Sequence, residues 1–239
     1  MLGNYVNTLA IIVASIIGLL IRKGLKEEYK TIVMQAIGLS VIFIGAVTAL
    51  GGLLDPASEP ILFIISLVIG GAIGELLRLD RALNKLGMLL QEKVGSNNGS
   101  NVARGFVTAS LIFCVGTMSI LGSIESGLRG NYNMLFAKSV LDGVTSMILS
   151  STLGAGVIFS AAAVFIYQGL IILFAGSIES LLTAQIVREI TIIGGILIFG
   201  IGLNLLEIKK INTINLLPAI FVPVVYYLLV IPLYQTLFG

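Results

Sequence analysis

The stretch AGVIFSAAAVFIYQGLIILFAG, residues 155–176, carries no charged side chain and no proline. As a helix it rises about 33 Å, enough to cross the hydrocarbon core of a bilayer. A helix apolar all round needs either lipid or a thick protein wrapping. The rest of the chain cannot supply that wrapping and still face water. Of 239 residues, 57% are hydrophobic and 11% charged, with 14 basic and 12 acidic side chains. A soluble domain carries about 25% charge. The mean hydropathy is +1.07. Lipid is the matching solvent, and the fold class is an all-α membrane protein.

Working outward, seven more stretches reach about 20 mostly apolar residues: 3–22, 31–54, 60–78, 105–124, 134–152, 185–207 and 213–236. That predicts about eight transmembrane helices in a single transmembrane domain, 1–239. The spans 105–124 and 134–152 are the most polar. The first stretch has no charged leader or small-residue cleavage site and ends in Arg22 and Lys23, so it reads as a retained helix. Between the third and fourth spans, Leu79, Leu83, Leu86 and Leu90 recur at helical spacing, with Arg81, Lys85, Glu92 and Lys93 off that stripe. This predicts an amphipathic helix on the membrane surface. Residues 95–101, rich in Gly, Ser and Asn, read as a linker.

Eight spans place eleven Lys and Arg residues on one side, from Arg22, Lys23, Lys26 and Lys30 through Lys209 and Lys210. Only Arg129, Lys138 and Arg188 fall on the other. The richer side is predicted to be cytoplasmic, with both termini outside. If 134–152 did not cross, Lys209 and Lys210 would change sides and the bias would weaken.

Ile37-Gly38, three residues, then Ile42-Phe43 in the second span matches Ile193-Gly194, three residues, then Ile198-Phe199 in the seventh. Each lies in the middle helix of a trio, 1–78 and 155–239. The trios are five spans apart, so the second would run upside down. This is the pattern of an inverted repeat, as found in secondary transporters, or a coincidence among abundant Gly, Ile and Phe. The resulting plan is 3+2+3: the first trio, the cytoplasmic segment 79–104, the central pair 105–152, and the second trio.

The central pair concentrates the polar residues. Lys138, Asp142, Ser146 and Ser150 are spaced by four and share one helix face. A charge inside a span faces a cavity, a partner or a water path, so Asp142 and Lys138 form either a binding centre or a plain ion pair. The span before them carries Thr108, Ser110, Thr117, Ser119 and then Glu125. Together these give an oxygen-lined set suited to a hard cation or a small polar solute. Ser and Thr in membrane helices also serve packing. Secondary candidates are Glu75, Asn204, Gln168 and Asn7. Gly70 and Gly74 permit close helix contact, and Pro218 and Pro223 interrupt the last span.

With no histidine and one cysteine, a His-based triad, a His-bearing metal site and an internal disulfide are excluded. No phosphate-binding loop pattern occurs. The net charge of +2 does not point to nucleic acid.

FVTASLIFCVG (106–116) leading into ILGSIESGL (120–128), with Lys138-Ser139-Val140-Leu141-Asp142-Gly143 and Gly200 to Leu206, resembles the YdfK/YqgA-like family of bacterial inner-membrane proteins. The resemblance covers essentially the whole chain. It implies a bacterial plasma membrane location and supplies no established function. The 3+2+3 layout with external termini is also similar to that of the ZIP metal transporters, but the histidines of their central metal site are absent here.

The expected function is a secondary transporter of a small ion or small polar solute, with the site on the central pair. The alternatives are an ion channel or a membrane scaffold or sensor. An enzyme is not expected, and neither is a bound cofactor beyond a coupling ion such as Na+ or H+. The expected partners are the lipid bilayer, the solute and further copies of the chain as a homo-oligomer.

Overall fold

A computed structural model describes residues 1–24, 27–82, 85, 99–115 and 117–238. The described residues form helices and connecting turns, with no strand among them. The helices are α1 (Leu2–Gly24), α2 (Glu27–Leu53), α3 (Pro60–Leu77), α4 (Gly99–Cys114), α5 (Thr117–Arg129), α6 (Asn133–Leu153), α7 (Gly156–Leu173), α8 (Ala175–Leu181) and α9 (Ala184–Leu205). A last span follows, Leu217–Tyr234.

Local chemistry sets several boundaries. Pro60 starts α3, where a missing N–H costs nothing. Thr183 caps α9 by accepting from the Ile186 N–H at 3.3 Å. Gly154, at φ 83°, closes α6 with its N–H on the Ser150 carbonyl and turns the chain into α7. In the last span the backbone changes type: a 3-10 turn Leu217–Phe221, an α turn Val222–Val225, a π segment Tyr226–Val230, then α-helix Ile231–Phe238. Pro218, Pro223 and Pro232 deny it three amide donors.

Among the described residues, six helices are long and apolar enough to cross a membrane: α1, α2, α3, α7, α9 and the last span. The expected span 105–124 is instead a bent pair. Helices α4 and α5 meet at 60° across a break after Cys114. Helix α6 has 21 residues, a sufficient length, but it is too polar to count among the six. The expected surface helix lies mostly outside the described residues; of it, residues 79–82 and Lys85 are helical. The expected linker ends earlier than read, because α4 begins at Gly99. Val102 and Ala103 of its first turns are buried, and Val102 packs on Gly156.

Close approaches at glycines fix the helix directions. Gly3 meets Leu135 and Gly18 meets Ser150, so α1 and α6 run parallel. Gly38 meets Leu206, Gly45 meets Phe199 and Gly52 meets Ile192, so α2 and α9 run antiparallel. Gly70 meets Ala219 and Gly74 meets Asn215, so α3 opposes the last span. Gly156 meets Val102 at the start of α4, while Gly127 near the end of α5 meets Ile172 and Ala175. The bent pair therefore runs the whole length of α7 from one end to the other. It does not return to the end where it began.

Helix α9 is the core element, with 78% of its window buried, against 22% for α3 and 11% for the last span. The main apolar cluster joins Ile11, Val41, Phe113, Leu149, Val164 and Ile198 from six helices.

Candidate functional site

The ladder of residues spaced by four on α6 does face the interior: Lys138, Asp142, Ser146 and Ser150 are all buried. The Lys138 Nζ donates to Asp142 Oδ1 at 2.8 Å and lies 2.8 Å from Oδ2. Both side chains are less than 10% exposed. Helix α1 supplies the next partner. Asn7 Nδ2 donates to Asp142 Oδ2 at 3.0 Å and reaches Gln168 Oε1 on α7 at 3.4 Å. Gln168 Nε2 then donates to Ser119 Oγ at 3.2 Å, in the first turn of α5 beside the break. A continuous polar chain thus links α6, α1, α7 and α5 through the apolar bundle. Hydrogen bonds in such a setting are strong, and unsatisfied atoms are costly.

Ser119 and the secondary candidates Gln168 and Asn7 are therefore joined to Asp142 and Lys138 by hydrogen bonds. Ser146 lies one turn further along the same face, but its hydroxyl donates to its own helix at Gly143 O, 2.9 Å away. Ser110 is on the inner part of α4, its hydroxyl buried and without a partner. Thr117 starts α5; its side chain lies outside the described residues. The other candidates are elsewhere. Glu125 sits at the far end of α5, where it accepts from Asn131 at 3.2 Å and lies 4.0 Å from Arg129. Glu75 accepts from Asn215 Nδ2 at 2.7 Å at the opposite end of the bundle. Asn204 closes the turn after α9 by a reciprocal pair with Ile211, both bonds at 2.7 Å.

Thr108 belongs to a cavity of about 690 Å³ at the end of the bundle that carries Lys209 and Lys210. Arg104, Asn204, Glu207 and Asp80 also line it. From Thr108 to the break after Cys114 is about 9 Å of helix rise. At the other end, Arg188 binds Asp55 at 3.2 Å and also the Ala57 carbonyl. Glu189 there accepts from the Glu59 amide at 3.1 Å, and Tyr227 donates to Glu59 at 2.8 Å.

Two residues escaped the sequence reading. Asn4, three positions before Asn7 on the same face, is fully buried and donates to the Phe165 carbonyl at 2.9 Å. The Asn4/Asn7 spacing was the available signal. Glu189, next to Arg188 in the first turns of α9, has a side chain with no exposure. Nothing in the local sequence separates it from an interfacial glutamate.

These features define a polytopic α-helical membrane protein with a charged centre buried beside a broken helix. The chain belongs to the family described as Protein of unknown function (DUF554), whose model matches residues 2–228. It is 44% identical over 223 residues to the Uncharacterized membrane protein YdfK of Bacillus subtilis (strain 168), covering 93% of this chain and 94% of that one. It is 26% identical over 223 residues to the Uncharacterized protein YqgA of Escherichia coli (strain K12), covering 92% and 93%. No solved structure matches the chain.

Proposed function

We propose that the chain is a secondary transporter of a small ion or small polar solute, with its site at Asp142, Lys138, Asn7, Gln168 and Ser119. The observation that carries this reading is the buried Lys138–Asp142 pair, wired through Asn7 and Gln168 to the first turn of a broken helix. Charges inside a membrane bundle are expensive and mark pathways. Discontinuous helices place backbone ends at such sites in transporters.

The chain crosses eight times in this reading, with α4–α5 as one broken crossing and α6 as another. Equivalent helices of the two trios oppose one another: α1 against α7, α2 against α9, and α3 against the last span. Each pair is antiparallel, the relation an inverted repeat would produce. The end bearing Lys209 and Lys210 faces the cytoplasm of a bacterium, and both termini lie outside its inner membrane. The cavity at Thr108 opens the cytoplasmic end, while the Arg188–Asp55 and Tyr227–Glu59 contacts hold the outer end together.

Flux into proteoliposomes tests the reading. Alkali cations, ammonium and amino acids are presented to vesicles holding the wild type or Asp142→Asn. Saturable flux that the variant loses is the expected result. Equal flux in both would move the site elsewhere, and flux that does not saturate would favour a channel.

A further inference from the structure

The substrate class can be read from what the site has in excess, given the transport reading above. Among the described buried side-chain atoms without a hydrogen-bond partner are two acceptor-only amide oxygens on α1, Asn4 Oδ1 and Asn7 Oδ1, the second on the residue whose Nδ2 holds Asp142. The unpartnered hydroxyls, Ser110 and Ser123 among them, can donate as well as accept. The one nitrogen in that condition, Arg188 Nε, belongs to the outer end. An anion needs surplus donors. A cation needs surplus acceptors, and the two asparagine oxygens on α1, beside Asp142, are acceptors only.

The Lys138–Asp142 pair itself is hard to explain as scaffolding. Both residues lie on α6, so their ion pair joins no second helix; Asn7 does that by its bond to Asp142. Burying such a pair costs desolvation that its Coulomb attraction often fails to repay. Lysine also sits on a long flexible stem and, five residues from the start of α6, is within reach of the membrane surface. Its ammonium can therefore leave Asp142 without the helix moving.

We propose that the site binds a small cation, an alkali-metal ion or ammonium, on Asp142, and that the Lys138 ammonium is a tethered stand-in which the cation displaces. The cation takes the place of Nζ between the two carboxylate oxygens, and the amide oxygens of Asn7 and Asn4 complete its surroundings. Charge at Asp142 stays balanced in both states, because one positive group replaces another.

The proposal predicts an unusual sign. Removing Lys138 removes a competitor, so cation binding tightens. The test is thermal unfolding of the purified full chain in detergent, in NaCl, KCl, LiCl and NH4Cl against choline chloride at equal ionic strength. Lys138→Gln lowers the concentration at half-maximal stabilisation by about tenfold or more. Lys138→Arg, a bidentate competitor, raises it, and Asp142→Asn abolishes the response. The metal and ammonium arms separate the two cation sources. Binding lost in Lys138→Gln would overturn the proposal in favour of an anionic ligand. No cation response in either wild type or Lys138→Gln would overturn it as well. Should Lys138→Gln fail to fold, Lys138→Arg against wild type carries the same comparison, and tighter binding there would sink the idea. The measurement needs no flux, so its failure is distinct from failure of transport in vesicles.

Discussion

Asn7 and Asp142 are 135 positions apart in sequence and joined by a 3.0 Å hydrogen bond in the buried interior. That bond ties the first helix to the polar helix α6 and lets one amide serve two partners, Asp142 and Gln168. Asn7→Ala removes both bonds at once. In membrane bundles a single interhelical bond contributes about 0.6 kcal/mol and at most about 1.7. The expected loss is therefore about 1–2 kcal/mol, read as a lower melting temperature in detergent. An unchanged melting temperature would mean that the relay is not strained by its removal and does little for the fold.

The α2–α9 contact depends on absent side chains. A Cβ at Gly195 would come 2.9 Å from the Ala49 Cα and 2.9 Å from the Gly45 carbonyl oxygen. Backbone cannot yield as a flexible side chain can, so Gly195→Ala is expected to cost about 1–3 kcal/mol. Gly51, on the same helix as Gly45, has nothing within 4 Å of its Cβ position. Gly51→Ala should be neutral or stabilising, by up to about 1 kcal/mol from helix propensity. Thermal melts of the two variants side by side separate close packing from a general effect of removing glycine.

The fold class was legible because apolar length alone decides it, as in 155–176. The buried face of α6 was legible too, since four residues spaced by four must share a side. The break after Cys114 was not: the residues there read as ordinary apolar sequence, and the 60° bend comes where α4 packs along α7 and α9. Glu125 was grouped with Asp142 because both are acidic residues of the central pair. The pair turned out to be long, and Glu125 lies at the end of α5 rather than at its start. Gln168 and Asn7 ranked low as isolated amides. Only the packing of α1 and α7 on α6 makes them neighbours, a relation set by contacts more than a hundred residues apart.

Glu189 is fully buried, and one of its oxygens has no partner. Its nearest cation is Arg188, 3.8 Å away and also bound to Asp55. Arg188→Ala leaves the carboxylate uncompensated in the outer end, with an expected cost of about 3 kcal/mol or more. Adding Glu189→Gln removes the stranded charge and should recover most of the loss. Melting temperatures of the single and double variants form the check. A double variant no more stable than Arg188→Ala would show that Arg188 acts through Asp55 and the Ala57 carbonyl instead.

Thiol labelling decides the crossing of α6. Cys114 is the one cysteine, so Cys114→Ser gives a clean background. Asn131→Cys lies before α6, and Lys209→Cys follows α9. Three crossings separate these positions if α6 spans the membrane, and two if it does not. An impermeant maleimide should label Asn131→Cys in intact bacteria and Lys209→Cys only after lysis. Labelling of both from outside would remove α6 from the count and take Lys209 and Lys210 out of the cytoplasm. The reverse pattern would keep eight crossings and invert the molecule. The cavity at Thr108 would then open outward, and the Arg188–Asp55 contact would close the cytoplasmic end.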